Sequence, residues 1–254
     1  MPKIEPKFVT NEPAVLFGKT LVIADLHIGV EYELYKAGIR IPKQTGKLFE
    51  RIKQLIKTTK ANRLVLLGDL KHYIPYFSIQ EMREIPIFLN NLSKLIKVDI
   101  VPGNHDGDLK NHISPEVEFH GTDGFCLNDV YFNHGHSWPK KDVLEAEYLL
   151  IGHIHPCIGF RDKLGFKFIE QAWIRLNLDK RKLLEHYRST VTNNKVKVLK
   201  IIIIPAFNRF VGGRPFDPHG KSNAPVIRLA DVKNAEAYML DGTDIGKLKK
   251  LNKF

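Results

Sequence analysis

The feature that most constrains the fold is an alternation of buried strands and amphipathic helices in the first half of the chain. Arg63–Leu67 is a leucine-rich run that ends at a glycine, as a strand covered on both faces does. Before it, Gln44–Lys60 carries apolar side chains on one helical face and predicts a helix. After it, Ser78–Lys97 predicts a second helix that Pro86 kinks or splits. This order predicts βαβ units and a mostly parallel sheet.

Shorter strands frame this alternation. Ala14–Phe17 and Thr20–Ala24 flank a tight turn and predict a hairpin, and Ile100–Val101 predicts a further strand before a Pro-Gly turn. Beyond Pro115 the pattern changes to short strands separated by turns: Val130–Asn133, Tyr148–Ile151, Lys167–Gln171, Trp173–Leu178 and Lys197–Ile204. Arg209–Pro225 is rich in Gly and Pro and predicts a long ordered surface loop. The fold class is α/β, with two sheets packed face to face and helices outside.

Side chains of the metal-ligand type follow five of these strands at their carboxyl ends, where open α/β sheets bind ligands. Residues i and i+2 of an extended chain share a face, so pairs with that spacing converge. The residues are Asp25, His27, Asp69, Asn104, His105, His134, His153 and His155. Singly, each has an ordinary alternative as a helix cap, a turn residue or a hydrogen-bonded loop histidine. Five strands of one chain that are each followed by such residues predict a dinuclear metal site.

The series resembles the five ordered motifs of the calcineurin-like metallophosphoesterase superfamily: DLH at Asp25, GD at Asp69, GNHD from Gly103, HG at His134 and GHIH from Gly152. The longer wording, ADLHIG and GDLKH with the later IPAFN, VGG and MLDGT, most resembles archaeal SbcD-related phosphoesterases and bacterial ligase-associated DNA-damage phosphoesterases. The resemblance implies a four-layer α/β/β/α sandwich of two mixed sheets. It implies a single domain over 1–254 with its metal-binding motifs within 21–156. The part 173–254 then completes the second sheet or caps the site.

The resemblance also implies the ligand set. One ion takes Asp25, His27 and His155, the other takes Asn104, His134 and His153, and Asp69 bridges both. Nitrogen and oxygen ligands without cysteine suit Mn²⁺, Fe or Zn²⁺. Mn²⁺ is the first choice, with Fe, Zn²⁺ or Ni²⁺ as alternatives. Two such ions can share a hydroxide and direct it at phosphorus.

The histidine left over from ligation suggests a catalytic group. In the superfamily the residue equivalent to His105 lies near the leaving group, where it donates a proton or offsets charge, and Asp106 would orient it. The alternative for His105 is a turn residue satisfied by backbone. Further candidates for substrate contacts are Lys71, His72, His136, Arg209, Arg214 and Lys221, and a surface role is the alternative for Lys71 and His72.

The charge balance bears on the substrate. Lys and Arg number 39 against 28 Asp and Glu, a net charge of +11 that attracts polyanions, although scattered lysine also serves solubility. Basic residues are locally dense only in Asp179–Lys182 and in the tail from Gly246. We expect a phosphodiesterase, specifically a nuclease acting on DNA or RNA. The alternatives are an enzyme for small nucleotides or phosphomonoesters and a nucleic-acid-binding scaffold without catalysis.

Cysteine usage and apolar runs bear on location. Cys126 and Cys157 form no C-x-x-C pair, which favours a reducing compartment. The N-terminus lacks an apolar segment, and the run Val198–Ile204 has the length of a core strand. These features predict a cytoplasmic protein without a membrane partner, and the sequence leaves a homodimer open.

Overall fold

The computed structural model describes residues 4–188, 197–218 and 221–250. The strands in these residues are β1 (Pro6–Phe8), β2 (Ala14–Phe17), β3 (Thr20–Ala24), β4 (Arg63–Leu67), β5 (Lys97–Val101), β6 (Glu118–Phe119), β7 (Phe125–Leu127), β8 (Val130–Phe132), β9 (Tyr148–Ile151), β10 (Pro156–Arg161), β11 (Lys167–Asp179), β12 (Val198–Ile203), β13 (Arg214–Pro215), β14 (Glu236–Met239) and β15 (Asp244–Lys247). The α-helices are α1 (Val30–Lys36), α2 (Thr45–Thr59), α3 (Ile79–Ser93) and α4 (Lys180–His186). Short 3-10 helices cover Leu109–His112, Lys141–Leu144, Arg209–Val211, Pro225–Leu229, Val232–Asn234 and Leu248–Lys250.

The strands form two mixed sheets. The first has the order β1-β2-β3-β4-β5-β6, in which β3 to β6 are parallel and β1 to β3 pair antiparallel. The second has the order β13-β10-β11-β12-β9-β8-β7, with β14 against β11 and β15 against β14. In the second sheet β8, β9 and β12 run parallel, so their carboxyl ends lie at one edge.

Alternating side chains of the central strands fill two different cores. In β3, Leu21 and Ile23 pack toward the helices, whereas Val22 and Ala24 pack between the two sheets. Leu150 of β9 meets Val22 and Ala24 in that inter-sheet core. Both faces of these strands are therefore buried, which explains why they read as continuous apolar runs.

Helices cover the two outer faces. Leu48 and Ile52 of α2 and Leu89 of α3 pack on the first sheet. Leu183 of α4 and Val226 of a 3-10 helix pack on the second sheet. The layers run helix, sheet, sheet, helix, so the predicted α/β sandwich is confirmed.

Three elements differ from their predictions. Helix α3 runs unbroken from Ile79 to Ser93 through Pro86, since Ile85 and Leu89 on either side of the proline are fully buried against the sheet. The two strands predicted on either side of Ala172 are one strand, β11. The predicted loop Arg209–Pro225 begins with a 3-10 helix, contains β13 and ends where the next 3-10 helix begins.

Of the two segments in which basic residues are dense, the structure describes the first completely and the second only in part. In Asp179–Lys182, the carboxylate of Asp179 caps α4, and buried Lys180 donates to the carbonyl of Leu144 at 2.6 Å. That segment is therefore partly structural. Residues 251–254 of the basic tail lie outside the described residues. Within the described ranges, no helix combines the length and the apolar character needed to cross a membrane.

Candidate metal centre

The loops after β3, β4 and β9 have an uncommon backbone conformation. Asp25, His27, Asp69, His153 and His155 have φ values of 57°, 42°, 46°, 71° and 41°. Residues other than glycine seldom adopt this left-handed region, at a cost of about 1 kcal/mol or more each. The surrounding structure therefore holds all five in conformations that the isolated chain would avoid, as is typical of functional sites.

Three glycines of the motifs leave the space that the polar side chains occupy. A Cβ on Gly68 would collide with Nδ1 of His134, and one on Gly103 would collide with the carboxylate of Asp69. A Cβ on Gly152 would lie 2.6 Å from a carboxylate oxygen of Asp25. The glycines are thus required because backbone and site side chains touch here.

The first group of candidate ligands is Asp25, His27 and His155. Nε2 of His155 lies 3.4 Å from Oδ1 of Asp25 and 3.4 Å from Nε2 of His27. One coordinating atom from each residue lies within 4.8 Å of the others. Asp25 and His27 follow the first sheet and His155 follows the second, so the group spans both sheets.

The second group is Asp69, His134 and His153, whose coordinating atoms also lie within 4.8 Å of one another. Oδ2 of Asp69 lies 3.4 Å from Nε2 of His134 and 3.7 Å from Nε2 of His27. Asp69 therefore stands between the two groups. It follows the first sheet, whereas His134 and His153 follow the second.

The chemistry of these groups fits divalent cations. Burial lowers the pKa of His27 to about 3, and burial together with His134 lowers the pKa of His153 to about 4. Both imidazoles are therefore neutral near pH 7, the form that ligates metals. Nε2 of His134 is buried without a hydrogen-bond partner among the described residues. A buried imidazole nitrogen facing buried carboxylates is a site that a cation would satisfy.

The protonation of the two central side chains is linked. Burial alone would lower the pKa of His134, but the carboxylates of Asp69 and Asp25 outweigh it and raise the pKa to about 9. Burial would raise the pKa of Asp69, but His134 and His27 hold it below its usual range. Without a cation the pair favours a carboxylate beside an imidazolium, and a cation bound at His134 would replace that proton.

His105 faces the centre through one ring nitrogen. Its Nδ1 lies 2.5 Å from the carbonyl oxygen of His72, and a carbonyl only accepts, so Nδ1 carries a proton. Its Nε2 lies 3.9 Å from Oδ2 of Asp69, and its backbone N–H donates to Oδ1 of Asp69 at 2.9 Å. His105 is thus oriented by the loop after β4.

The sequence suggested that Asp106 orients His105, but the structure gives the carboxylate of Asp106 other partners. Its buried carboxylate accepts backbone N–H groups of Leu70, Lys71 and Gly103 at 2.9, 3.1 and 2.8 Å. Among the described residues, His105 is not one of its partners. Burial, with a contribution from Asp69, raises the pKa of Asp106 to about 6. Asp106 ties the two loops together, which is a structural contribution.

Of the neighbouring candidates, Lys71 and His72 differ in position. Lys71 is fully buried, and its ammonium donates to the carbonyl oxygens of Tyr73 and Tyr76. Its ammonium is therefore held by its own loop, which favours a structural role over a substrate contact. Nδ1 of His72 lies 3.2 Å from Nδ1 of His27, and Nε2 of His72 lies 2.5 Å from a carboxylate oxygen of Glu33.

Glu33, which the sequence did not single out, and Asn208, which ends the IPAFN motif, support the centre. Glu33 holds His72, and only its placement in the first turn of α1 could have suggested it. Buried Asn208 donates from Nδ2 to the carbonyl of Leu26 at 2.8 Å, and the N–H of Phe207 donates to Ala24. The IPAFN motif thus braces the loop that carries Asp25.

Asn104 and His136 lie at the margin of the centre. Asn104 follows Gly103 on the same turn, but its side chain is exposed and makes no hydrogen bond in the described part of the chain. The ring of His136 lies 5.2 Å from that of His134 and 6.1 Å from that of His153. Burial and these two histidines lower the pKa of His136 to about 4.

A cleft opens beside the histidines of the second sheet. It has a volume of about 540 Å³, and its lining includes His153, His155, Arg214 and Lys221. Arg209 is exposed and lies at a neighbouring cavity of about 680 Å³. Arg214 and Lys221 therefore share a cleft with two of the candidate ligands, whereas Arg209 does not line it.

A double-sheet sandwich with a buried Asp and His cluster at the carboxyl ends of its strands defines a metal-dependent hydrolase. The chain matches the model of calcineurin-like phosphoesterases over residues 18–201 and belongs to that family. No curated protein matches the chain in sequence.

One solved structure shares the fold, and a second is less similar. The nuclease MPE of Pseudomonas putida is 16% identical with a TM-score of 0.54, and the match covers 94% of this chain and 96% of that one. Yfce, a phosphoesterase from E. coli, is 15% identical with a TM-score of 0.41, over 90% of this chain and 97% of that one. By its family, the protein is a metal-dependent phosphoesterase.

Proposed function

We propose that this protein is a phosphodiesterase that cleaves nucleic acid with two divalent ions. The observation that carries the proposal is the position of Asp69 between two ligand groups. Its Oδ2 lies 3.4 Å from Nε2 of His134 and 3.7 Å from Nε2 of His27. A side chain so placed can serve two cations at once.

The residues divide between two ions. Asp25, His27 and His155 would hold one, and His134 and His153 would hold the other with Asn104, while Asp69 would serve both. Mn²⁺ suits imidazole with carboxylate, and the candidate ligands include no thiolate. When bound, a pair of divalent ions supplies an activated water and neutralises charge on the phosphoryl oxygens.

His105 would act on the leaving group. Since Nδ1 donates to the carbonyl of His72, Nε2 is the atom able to give a proton to the departing oxygen. This nitrogen lies 3.9 Å from the carboxylate of Asp69, at the edge of the candidate centre.

The cleft supports a polyanionic substrate. Arg214 and Lys221 line it together with His153 and His155 and would contact phosphates that flank the cleaved bond. The net charge of +11 favours such a partner, and the similar structure from P. putida is described as a nuclease. These observations favour a diester within a chain.

The test is hydrolysis of bis-p-nitrophenyl phosphate and p-nitrophenyl phosphate by chelator-stripped protein with Mn²⁺ added back. We expect turnover of the diester that requires both Mn²⁺ and Asp69, with Asp69→Asn as the matched variant. His105→Asn should lose turnover and keep Mn²⁺ binding. Labelled DNA and RNA are the next substrates. Mn²⁺ binding without turnover of either substrate would contradict the proposal and leave the scaffold alternative.

One observation favours a second candidate. The cleft volume of about 540 Å³ falls within the range of roughly 300–1,000 Å³ that holds small ligands. A phosphatase or phosphodiesterase for small nucleotides would fit that size. Turnover of the monoester alone, or of dinucleotides but not of longer oligonucleotides, would favour this candidate over a nuclease.

A further inference from the structure

A group of exposed tyrosines lies beside the metal centre without a role in it. Tyr32 and Tyr35 on α1 and Tyr73 after β4 are 42%, 57% and 37% exposed. The rings of Tyr32 and Tyr73 meet edge to face with centroids 6.1 Å apart, so α1 and the loop present one surface. Large aromatic side chains grouped on a surface mark an interaction site more often than isolated ones do.

Basic side chains accompany these rings. Nζ of Lys36 lies 4.4 Å from the ring centroid of Tyr32 and 5.3 Å from that of Tyr73. The guanidinium of Arg40 lies 5.7 Å from the ring centroid of Tyr35. The nearby carboxylate of Glu33 is engaged by His72. The surface therefore combines flat apolar faces with positive charge, as surfaces for single-stranded nucleic acid do.

The surface is connected to the candidate ligands and held in place. Tyr73 directly follows His72, whose Nδ1 lies 3.2 Å from Nδ1 of His27. The buried carboxylate of Glu81 accepts the backbone N–H groups of His72 and Tyr73 at 2.8 and 2.7 Å. The N–H of His72 also donates to the carbonyl of Ile28, just before α1. A surface fixed in this way loses little conformational entropy when a ligand binds.

We infer that Tyr32, Tyr35, Tyr73, Lys36 and Arg40, the tyrosine platform, bind unpaired bases of a nucleic acid whose backbone enters the metal centre. The inference rests on the proposed function, because it names a substrate subsite of the same site. Bases stack on the tyrosine rings, and phosphates lie against Lys36 and Arg40. Paired bases have their faces covered by neighbours in the duplex, so the platform selects single strands or frayed ends.

The test measures binding apart from cleavage. Chelator-stripped full-length protein is titrated into a short fluorescein-labelled oligothymidylate, and separately into a blunt duplex, with anisotropy as the readout. Tyr32→Leu and Tyr73→Leu should each weaken single-strand binding about tenfold or more, because stacking on an aromatic ring stabilises each bound base. Tyr32→Phe and Tyr73→Phe keep the ring and should bind within about twofold of the wild type.

Control variants and a second measurement separate the outcomes. Phe166→Leu removes a 69% exposed ring from the hairpin between β10 and β11 and should leave binding unchanged. Leucine variants at Tyr32 and Tyr73 that bind the single strand as tightly as the wild type would overturn the platform. Analytical ultracentrifugation of the same variants is the second measurement. A changed sedimentation coefficient with unchanged binding of the single strand would also overturn the platform, because it would assign the surface to a second copy of this chain.

Hydrolysis of bis-p-nitrophenyl phosphate by the wild type with Mn²⁺ tests the proposed function independently. Turnover together with tyrosine-independent binding would refute the platform and retain the phosphodiesterase. Tyrosine-dependent binding without turnover would retain the platform and refute the phosphodiesterase.

Discussion

Asp69 lies close to both ligand groups, so replacing it tests more than the loss of one ligand. Asp69→Asn keeps an oxygen that can accept the N–H of His105 and a residue type that tolerates a φ of 46°. We expect the variant to fold. Its turnover should fall by more than about a hundredfold, because even indirect partners of ligands are worth 10–100-fold. Near-normal turnover of bis-p-nitrophenyl phosphate would show that Asp69 is not a ligand.

His72 contacts His27, and Glu33 in turn holds His72, so both residues position His27. His72→Ala and Glu33→Gln remove successive links of this contact chain, and each should weaken Mn²⁺ affinity by about 10–100-fold. Isothermal titration of chelator-stripped protein with Mn²⁺ gives the affinity directly. Glu50→Gln on α2, which changes an exposed carboxylate that pairs with Lys53, is the matched control and should not alter it.

Between β4 and β5, a buried ion pair makes the first sheet sensitive to pH. Asp99 is fully buried and receives Arg63 at 2.6 Å and His120 at 2.8 Å. Burial would raise the pKa of Asp99, but hydrogen bonds from His120 and Arg63 lower it. A carboxylate with a lowered pKa stabilises the folded state above its ordinary pKa and loses that contribution as the pH falls through the lowered value.

Asp99→Asn should therefore reduce the free energy of unfolding by about 2–3 kcal/mol near neutral pH, the worth of charged hydrogen bonds. The difference between variant and wild type should shrink below about pH 4, where an unfolded aspartate is protonated. Urea unfolding at several pH values measures both. A difference that stays constant down to acid pH would exclude the charge as its cause.

Helix α2 ends at a residue in an unfavourable conformation. Lys60 is its C-cap, with φ 54° and ψ 34°, a position at which helices usually carry glycine. Lys60→Gly should stabilise the protein by about 0.5–1 kcal/mol and raise the Tm by a few degrees. Thermal unfolding measures it, with Lys57→Gly inside the same helix as the opposite control, which should destabilise by about 1 kcal/mol. A lowered Tm for Lys60→Gly would contradict the assignment of strain to this residue.

At the scale of the whole molecule, we propose that the two sheets unfold together as one domain that bound cations stabilise. At a Mn²⁺ concentration a hundredfold above Kd, each site adds about 2.7 kcal/mol. This corresponds to a rise in Tm of roughly 5–10 °C per site. Calorimetry with and without Mn²⁺ should show one transition that moves upward in the wild type and hardly moves in Asp69→Asn. Two separate transitions would contradict the single domain.

The sequence allowed the sandwich to be predicted because its signals are local. A strand covered on both faces, such as Arg63–Leu67, must be apolar throughout, and the polar residue after its last glycine marks the strand end. The same strand ends predict the candidate ligands Asp25, His27 and His155 from the sequence. The partners of Asp106 and Lys71 could not be predicted in this way, because they are backbone groups of a facing loop or of the residue's own loop. No sequence spacing encodes such contacts.

Both ligand groups take residues from the two sheets, so the geometry of the site depends on how the sheets are placed relative to each other. A cation held by Asp25 and His155 would crosslink the two sheets. Sliding of one sheet along the other would separate the ligand pairs that join the sheets, Asp25 with His155 and Asp69 with His134. The side chains packed between the sheets, such as buried Trp173 stacked on Phe8, therefore contribute to the relative position of the ligands that the two sheets carry.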